Sequence, residues 1–254
     1  MDKNSNAYIF IYASVMVVLV AVVLTSANIM LKPLQEKNKR NEKMINLLSV
    51  IGVKADAADA AELYNKHVVQ EVVINKKGDK LSVYSKGKFI KGDQRAFSID
   101  LKAEMRIIAD GGPVAVPLFI MQKDSVKYFV IPVYGKGLWG PIWGNVALES
   151  DANTIYGVNF GNESETPGLG AEISSPPVSG KVVFSDEFKG KKIMNSKGEF
   201  TSVKVVKGGV KNQSAVKPAH GVDAISGATL TSNGVSNMLY DCLENYVNFL
   251  KKNK

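Results

Sequence analysis

Three hydroxyls, Ser226, Thr229 and Thr231, stand within six positions in the stretch Asp223-Ala-Ile-Ser-Gly-Ala-Thr-Leu-Thr-Ser-Asn-Gly-Val235. A strongly periodic apolar tail follows them. Small residues leave a backbone open, and the unpaired N–H groups and dipole at a helix start favour a phosphate. A glycine-bearing approach and a hydroxyl at that point suit phosphate chemistry. No Gly-Lys-Ser/Thr follows, so this is not a Walker loop, and the glycine spacing is not that of a dinucleotide fingerprint. By spacing alone the stretch reads first as a helix start, with Thr231, Ser232 or Asn233 as its cap.

Two further glycine turns carry residues suited to holding a ligand. Gly135-Lys-Gly-Leu-Trp-Gly-Pro-Ile-Trp-Gly144 contains both tryptophans and four glycines. Glycines let a backbone approach a flat ligand and indoles supply apolar walls; a sheet corner with its tryptophans packed inward fits the same pattern. Glu165-Thr-Pro-Gly-Leu-Gly-Ala171 is a turn able to present free N–H groups. Cys242 is the only cysteine, so no internal disulfide and no cysteine-based metal cluster can form. It falls in the apolar rhythm of the last helix and reads as core. His67 and His220 share no ligand spacing with acidic neighbours, which excludes a structural zinc site.

The elements that must position these turns follow from hydrophobic period. Val235, Met238, Leu239, Cys242, Leu243, Tyr246, Val247 and Leu250 recur at spacings of three and four, the signature of a helix with one buried face. Upstream, strand-like runs alternate with turn signals: 68–74 with 81–84, 115–121 with 127–133, then 145–148, 154–159, 181–184 and 202–206. Residues 34–50 read as a charged helix with Met44, Leu47, Leu48 and Ile51 on one face, and 56–67 as a second, alanine-rich helix. The sum is an α+β domain with a largely antiparallel sheet.

From Tyr8 to Leu31 the chain has no charged residue over 24 positions, about 36 Å of helix, enough to cross a bilayer. The run exceeds a usual signal-peptide core, which favours a retained anchor. Tyr8 and Tyr12 suit the near interface. The organisation is therefore an anchor at 1–31, a helical connector at 32–67 and a domain at 68–254. Net charge is +8, but residues 44–254 carry 26 basic against 21 acidic groups, scattered and not interleaved with aromatics. No nucleic acid partner is indicated. Lys32, Lys37, Lys39, Arg40 and Lys43 follow the span, against Lys3 and the amino terminus before it, which by the positive-inside count places the C-terminal part in the cytoplasm.

With the turns at Gly137–Gly140 and Glu165–Gly170 and the run His220-Gly-Val-Asp-Ala-Ile-Ser-Gly-Ala-Thr-Leu-Thr-Ser232 in view, the chain resembles the family of C subunits of the sodium-translocating NADH:quinone oxidoreductase over nearly its whole length. In that family an Asp-x-x-Ser/Thr-Gly-Ala-Thr motif is the flavinylation site. The resemblance implies that Asp223, Ser226, Gly227 and Ala228 form the recognition sequence and that Thr229 carries FMN through a phosphoester. Thr231 and Ser232 keep the capping reading. The two glycine turns are expected beside the flavin, with Trp139, Gly140, Glu165, Thr166, Leu169, Gly170 and Thr231 as cofactor contacts. The resemblance further implies an electron-carrying component of the bacterial inner membrane that is inactive alone. Its partners would be the B, D, E and F subunits, with a flavin transferase during maturation. NADH oxidation and ubiquinone reduction would belong to the partners. Because that transferase works outside the cytoplasm, the domain is expected on the outer side, against the lysine count; long domains translocate largely regardless of charge. The G subunit of Rnf-type complexes shares the motif, though chain length and agreement from His220 to Gly234 look more like the C subunit. An envelope sensor or assembly module without covalent flavin is the alternative from another class.

Overall fold

The computed structural model describes residues 6–176 and 182–253. Its first element, α1 (Asn6–Ser49), is one helix of 44 residues that runs on through Pro33. The span and the charged helix expected as separate elements are thus continuous. The chain forms two compact units, one up to Lys43 and one from Met44 to Lys254. In the first, α1 is long and apolar enough to cross a membrane, its most apolar window having mean hydropathy 2.7 and no buried residue. Asp2 and Lys3 lie outside the described residues.

In the second unit, Leu47, Leu48 and Ile51 are buried, so the stretch read as a connector enters the core. The Asn159 amide donates to Asn46 O at 2.7 Å and to Ser49 Oγ at 2.8 Å, holding this end of α1 against the body. The second helix is shorter than its alanine content suggests: α2 spans Ala60–His67. Asp56 and Asp59 accept from each other's backbone N–H and close a tight turn in front of it.

Seven strands follow, β1 (Val68–Ile74), β2 (Lys80–Ser85), β3 (Lys88–Lys91), β4 (Val116–Lys123), β5 (Val126–Lys136), β6 (Pro141–Leu148) and β7 (Ile155–Asn162), with α3 (Leu101–Ala109) between β3 and β4. They form one antiparallel sheet in the order β3-β2-β1-β4-β5-β6-β7. Side chains alternate across a strand. Leu118, Ile120, Phe129 and Ile131 accordingly enter one core, while Phe119, Met121 and Val130 enter a second on the opposite face. Burial on both faces is why β4 reads as an unbroken apolar run.

The first core is closed by α4 (Thr229–Leu243) and α5 (Val247–Lys252). Of the eight residues in the rhythm read from Val235 to Leu250 all but Val247 are buried, and Tyr246 Oη donates to Pro117 O at 2.8 Å. Cys242 lies in this core as expected, and burial pushes its thiol up to about 12.

Two differences have local causes. The strand expected at 181–184 does not form in its described part, residue 181 lying outside the described residues. Asp186 instead accepts from Val183 N at 3.1 Å, and a 3-10 turn at Phe184–Phe188 packs both rings on Phe160. The strand expected at 202–206 is β8 (Lys204–Val206), paired in parallel with β9 (Gly221–Asp223) outside the main sheet.

Removal of residues 1–31 should leave a soluble domain with an unfolding midpoint equal to that of the full chain in detergent, since the body closes its own cores. Circular dichroism melting and size-exclusion chromatography check this; aggregation would show that the domain needs its anchor.

Candidate functional site

The chain reaches α4 through a turn in which Ala228 N donates to Ile225 O at 3.1 Å and Gly227 takes φ +77, a left-handed value natural to glycine. Helix α4 begins at Thr229, with Ala228 at the cap position and no side-chain capping bond. The expected caps are therefore corrected: Thr231 and Ser232 lie inside the first turn and Ser232 N makes the first helical bond, to Ala228 O at 2.9 Å. Among the described residues, the N–H groups of Thr229, Leu230 and Thr231 have no acceptor, and neither has the half-buried Thr229 hydroxyl a partner. A helix of 15 residues thus starts with three unspent donors and the accessible Thr229 hydroxyl beside them, whereas the Ser232 hydroxyl, also without a partner, is buried.

The capping role is lost because Thr231 is used elsewhere. It is 1% exposed, and its hydroxyl donates to Glu165 Oε2 at 2.5 Å across 66 residues of sequence. Glu165 is itself 5% exposed, and its Oε1 accepts from Trp139 N at 2.9 Å. Its own N–H donates to Asn162 Oδ1 at 3.0 Å, while the Asn162 amide donates to Ser174 Oγ. One buried carboxyl therefore ties together all three turns singled out in the sequence. Glycine is needed where they meet: a Cβ on Gly170 would strike both Glu165 and Thr231, and one on Gly137 would strike Glu165.

Around this centre the outward side chains are apolar. Trp139 is 66% exposed and Leu169 41%, with Leu138 and Leu230 exposed as well. Leu169 Cδ2 lies where a Cβ on Gly227 would fall, so the second and third turns touch. Gly140 closes the first turn by accepting from Gly137 N at 2.8 Å. Thr166 is exposed on the second turn, its carbonyl accepting from Leu169 N and Ala171 N. Glu165 and Thr231 point inward and do not line the surface. Trp139 does not pack into a sheet corner, whereas Trp143 lies against Gly161.

Asp223 stands apart. Its carboxylate accepts from Val210 N at 2.8 Å and its N–H donates to Glu187 Oε2 at 2.9 Å, so it braces the 209–210 turn and not Thr229. A cleft of about 790 Å³ shares Lys136 and Gly140 with the first turn; Met105, Tyr134 and Pro141 supply apolar surface, and Lys102, Arg106, Glu163, Asp241 and Glu244 supply charge. Burial, and then the charge of Glu244, hold the Asp241 carboxyl above its ordinary range. Asn162, Leu138, Leu230 and this cleft join the site beyond the residues its sequence motifs mark. Leu138 was legible inside its turn; Asn162 and the cleft had no local signal.

FMN requires an anion site for its phosphate and apolar surface for its ring, and the residues fit both. The open start of α4 offers free donors, and the apolar rim adjoins it.

A protein-family model described as an FMN-binding domain matches residues 137–244, a range that takes in all three turns. The C subunit of the Na(+)-translocating NADH-quinone reductase of Vibrio alginolyticus is 31% identical over 219 residues, covering 85% of this chain and 81% of its own. Its counterpart from Neisseria meningitidis serogroup B is 32% identical, covering 100% and 96%. The crystal structure of the C subunit of this reductase from Parabacteroides distasonis superposes with a TM-score of 0.71 at 39% identity, covering 87% of this chain and 96% of that one. The crystal structure of Shewanella oneidensis NqrC gives 0.61 at 31% identity, covering 85% and 99%.

Replacing Asp223 by alanine should lower stability by about 1 kcal/mol, the typical worth of the hydrogen bond lost to Val210 N. Asp223→Asn keeps an acceptor and should melt like the parent. Urea midpoints check the pair, and equal loss in both would remove the bond to Val210 as the cause.

Proposed function

Since the chain belongs to the family of Na(+)-translocating NADH-quinone reductase C subunits and carries their FMN-binding domain, we propose that it holds FMN covalently on Thr229 and relays electrons between its partners in the complex. The observation that carries this reading is the state of the motif's hydroxyls. Thr231 and Ser232 are buried in the first turn of α4 and Ser226 precedes the turn, whereas Thr229 opens the helix with its hydroxyl uncommitted. A phosphoester there places the phosphate against the unspent N–H groups of residues 229–231, with the helix dipole in its favour.

When bound, the flavin supplies the redox chemistry, and the protein supplies holding, orientation and electrostatics. Covalent attachment keeps the cofactor from leaving between electron transfers. Trp139 and Leu169 offer apolar faces to a flat ring, and the exposed Thr166 hydroxyl lies on the turn that carries Leu169. With a single cysteine the chain has no ligand set for an iron–sulfur cluster. In this reading NADH oxidation and quinone reduction occur on the B, D, E and F subunits. The domain is placed on the outer side of the inner membrane, where the flavin transferase meets it, and α1 anchors it.

Co-expression with a flavin transferase should give a band that fluoresces after a denaturing gel. Thr229→Ala should abolish it without changing the melting midpoint, because the half-buried hydroxyl has no partner to lose. Peptide mass spectrometry reads the site directly, and FMN-phosphate found on Ser226 or Thr231 would overturn the assignment. In a flavin-bound structure the ring should pack on Trp139 or Leu169 with Thr166 in hydrogen-bonding reach. A ring lodged among Met105, Tyr134 and Asp241, out of contact with Trp139 and Leu169, would refute that placement.

A further inference from the structure

We propose that the buried Glu165–Thr231 pair acts as a latch that fixes the flavin's surroundings without touching the flavin; this rests on attachment at Thr229. The two residues look like cofactor contacts in sequence, yet both are buried and satisfied by protein groups. Each arm of the latch reaches a different part of the site. The Thr231 arm, through the bond to Oε2, orients the first turn of α4, two residues beyond the attachment point. The Trp139 arm, through Oε1, holds the backbone under the most exposed indole. Asn162 fixes the latch's own backbone by accepting from Glu165 N. Gly170 and Gly137 approach the pair so closely that a Cβ on either would strike the Glu165 carboxyl. Glu165 and Thr231 are therefore positioning residues: they set the distance between the helix start that carries the phosphate and the walls that receive the ring.

Such a role differs from plain stabilisation, because it is read by the flavin at temperatures where the domain stays folded. The test uses the full chain in detergent, matured with the transferase, and compares only flavin-bearing molecules at equal absorbance. Thr231→Val keeps the shape and removes the donor, whereas Thr231→Ser keeps the donor. Glu165→Gln leaves a single acceptor for two donors. The Val and Gln variants should raise iodide quenching of the flavin about fivefold and lower its fluorescence anisotropy, the scale set by one lost hydrogen bond. Thr231→Ser should match the parent. Parent-like quenching and anisotropy in both the Val and Gln variants would overturn the latch. A measurement that needs no variant is amide hydrogen exchange in the parent. The Trp139 N–H should be protected beyond that of Leu138, and equal exchange would overturn the proposal as well. Absence of flavin on Thr229 in the parent would instead defeat the attachment reading, leaving the exchange result to judge the latch.

Discussion

A carboxyl group 5% exposed is tolerable only when its oxygens meet donors, and the whole candidate site depends on how Glu165 meets that demand. Its two acceptors are filled by a backbone N–H 26 residues upstream and a hydroxyl 66 residues downstream. Three turns that are separate in sequence become one surface because a single buried polar group needs them together. The surrounding glycines follow from the same demand, since the carboxyl occupies the space where their side chains would be.

The opposite face of the sheet is organised by a comparable group. Glu71, buried in β1, accepts from Tyr64 Oη and Phe97 N at 3.0 Å each and pairs with the Arg95 guanidinium, which stacks 4.2 Å above the Tyr84 ring. Burial, with the charge of Glu71 next, drives the Tyr64 hydroxyl far above its usual range, so it stays a donor at every accessible pH. This network ties α2 and the segment before α3 to the sheet. Removing Glu71 would take the acceptor from the buried Tyr64 hydroxyl and from the Phe97 N–H, and the charge partner from the partly exposed Arg95.

What could be read from the sequence was whatever has a local period or a local composition. The apolar runs of β1, β2, β4 and β5 and the three-four rhythm of α4 both reflect residues pressed on a core. The three turns were visible through glycine, tryptophan and hydroxyl content. Unreadable were the partners. Thr231 as a cap is a sound local inference, and it fails because an acceptor 66 residues away competes for the same hydroxyl. Residues 181–184 read as strand, yet in the described part Phe184 joins Phe188 in a ring cluster on Phe160 and a 3-10 turn forms instead. The short α3 and β3 escaped notice because α3 has no buried residue and β3 is exposed throughout.

The two edges of the main sheet are finished differently. The last strand, β7, is covered by the 3-10 turns at Gly170–Ser174 and Phe184–Phe188. The first, β3, is left open with Phe89 and Ile90 exposed, and lysines stand at both its ends. An unpaired strand with apolar side chains is a template for joining another chain, and terminal lysines repel a second copy approaching in register. Phe89 and Ile90 thus stand on an edge whose terminal Lys88 and Lys91 disfavour the in-register pairing of a second β3, so charge at two positions guards what the apolar residues between them would invite.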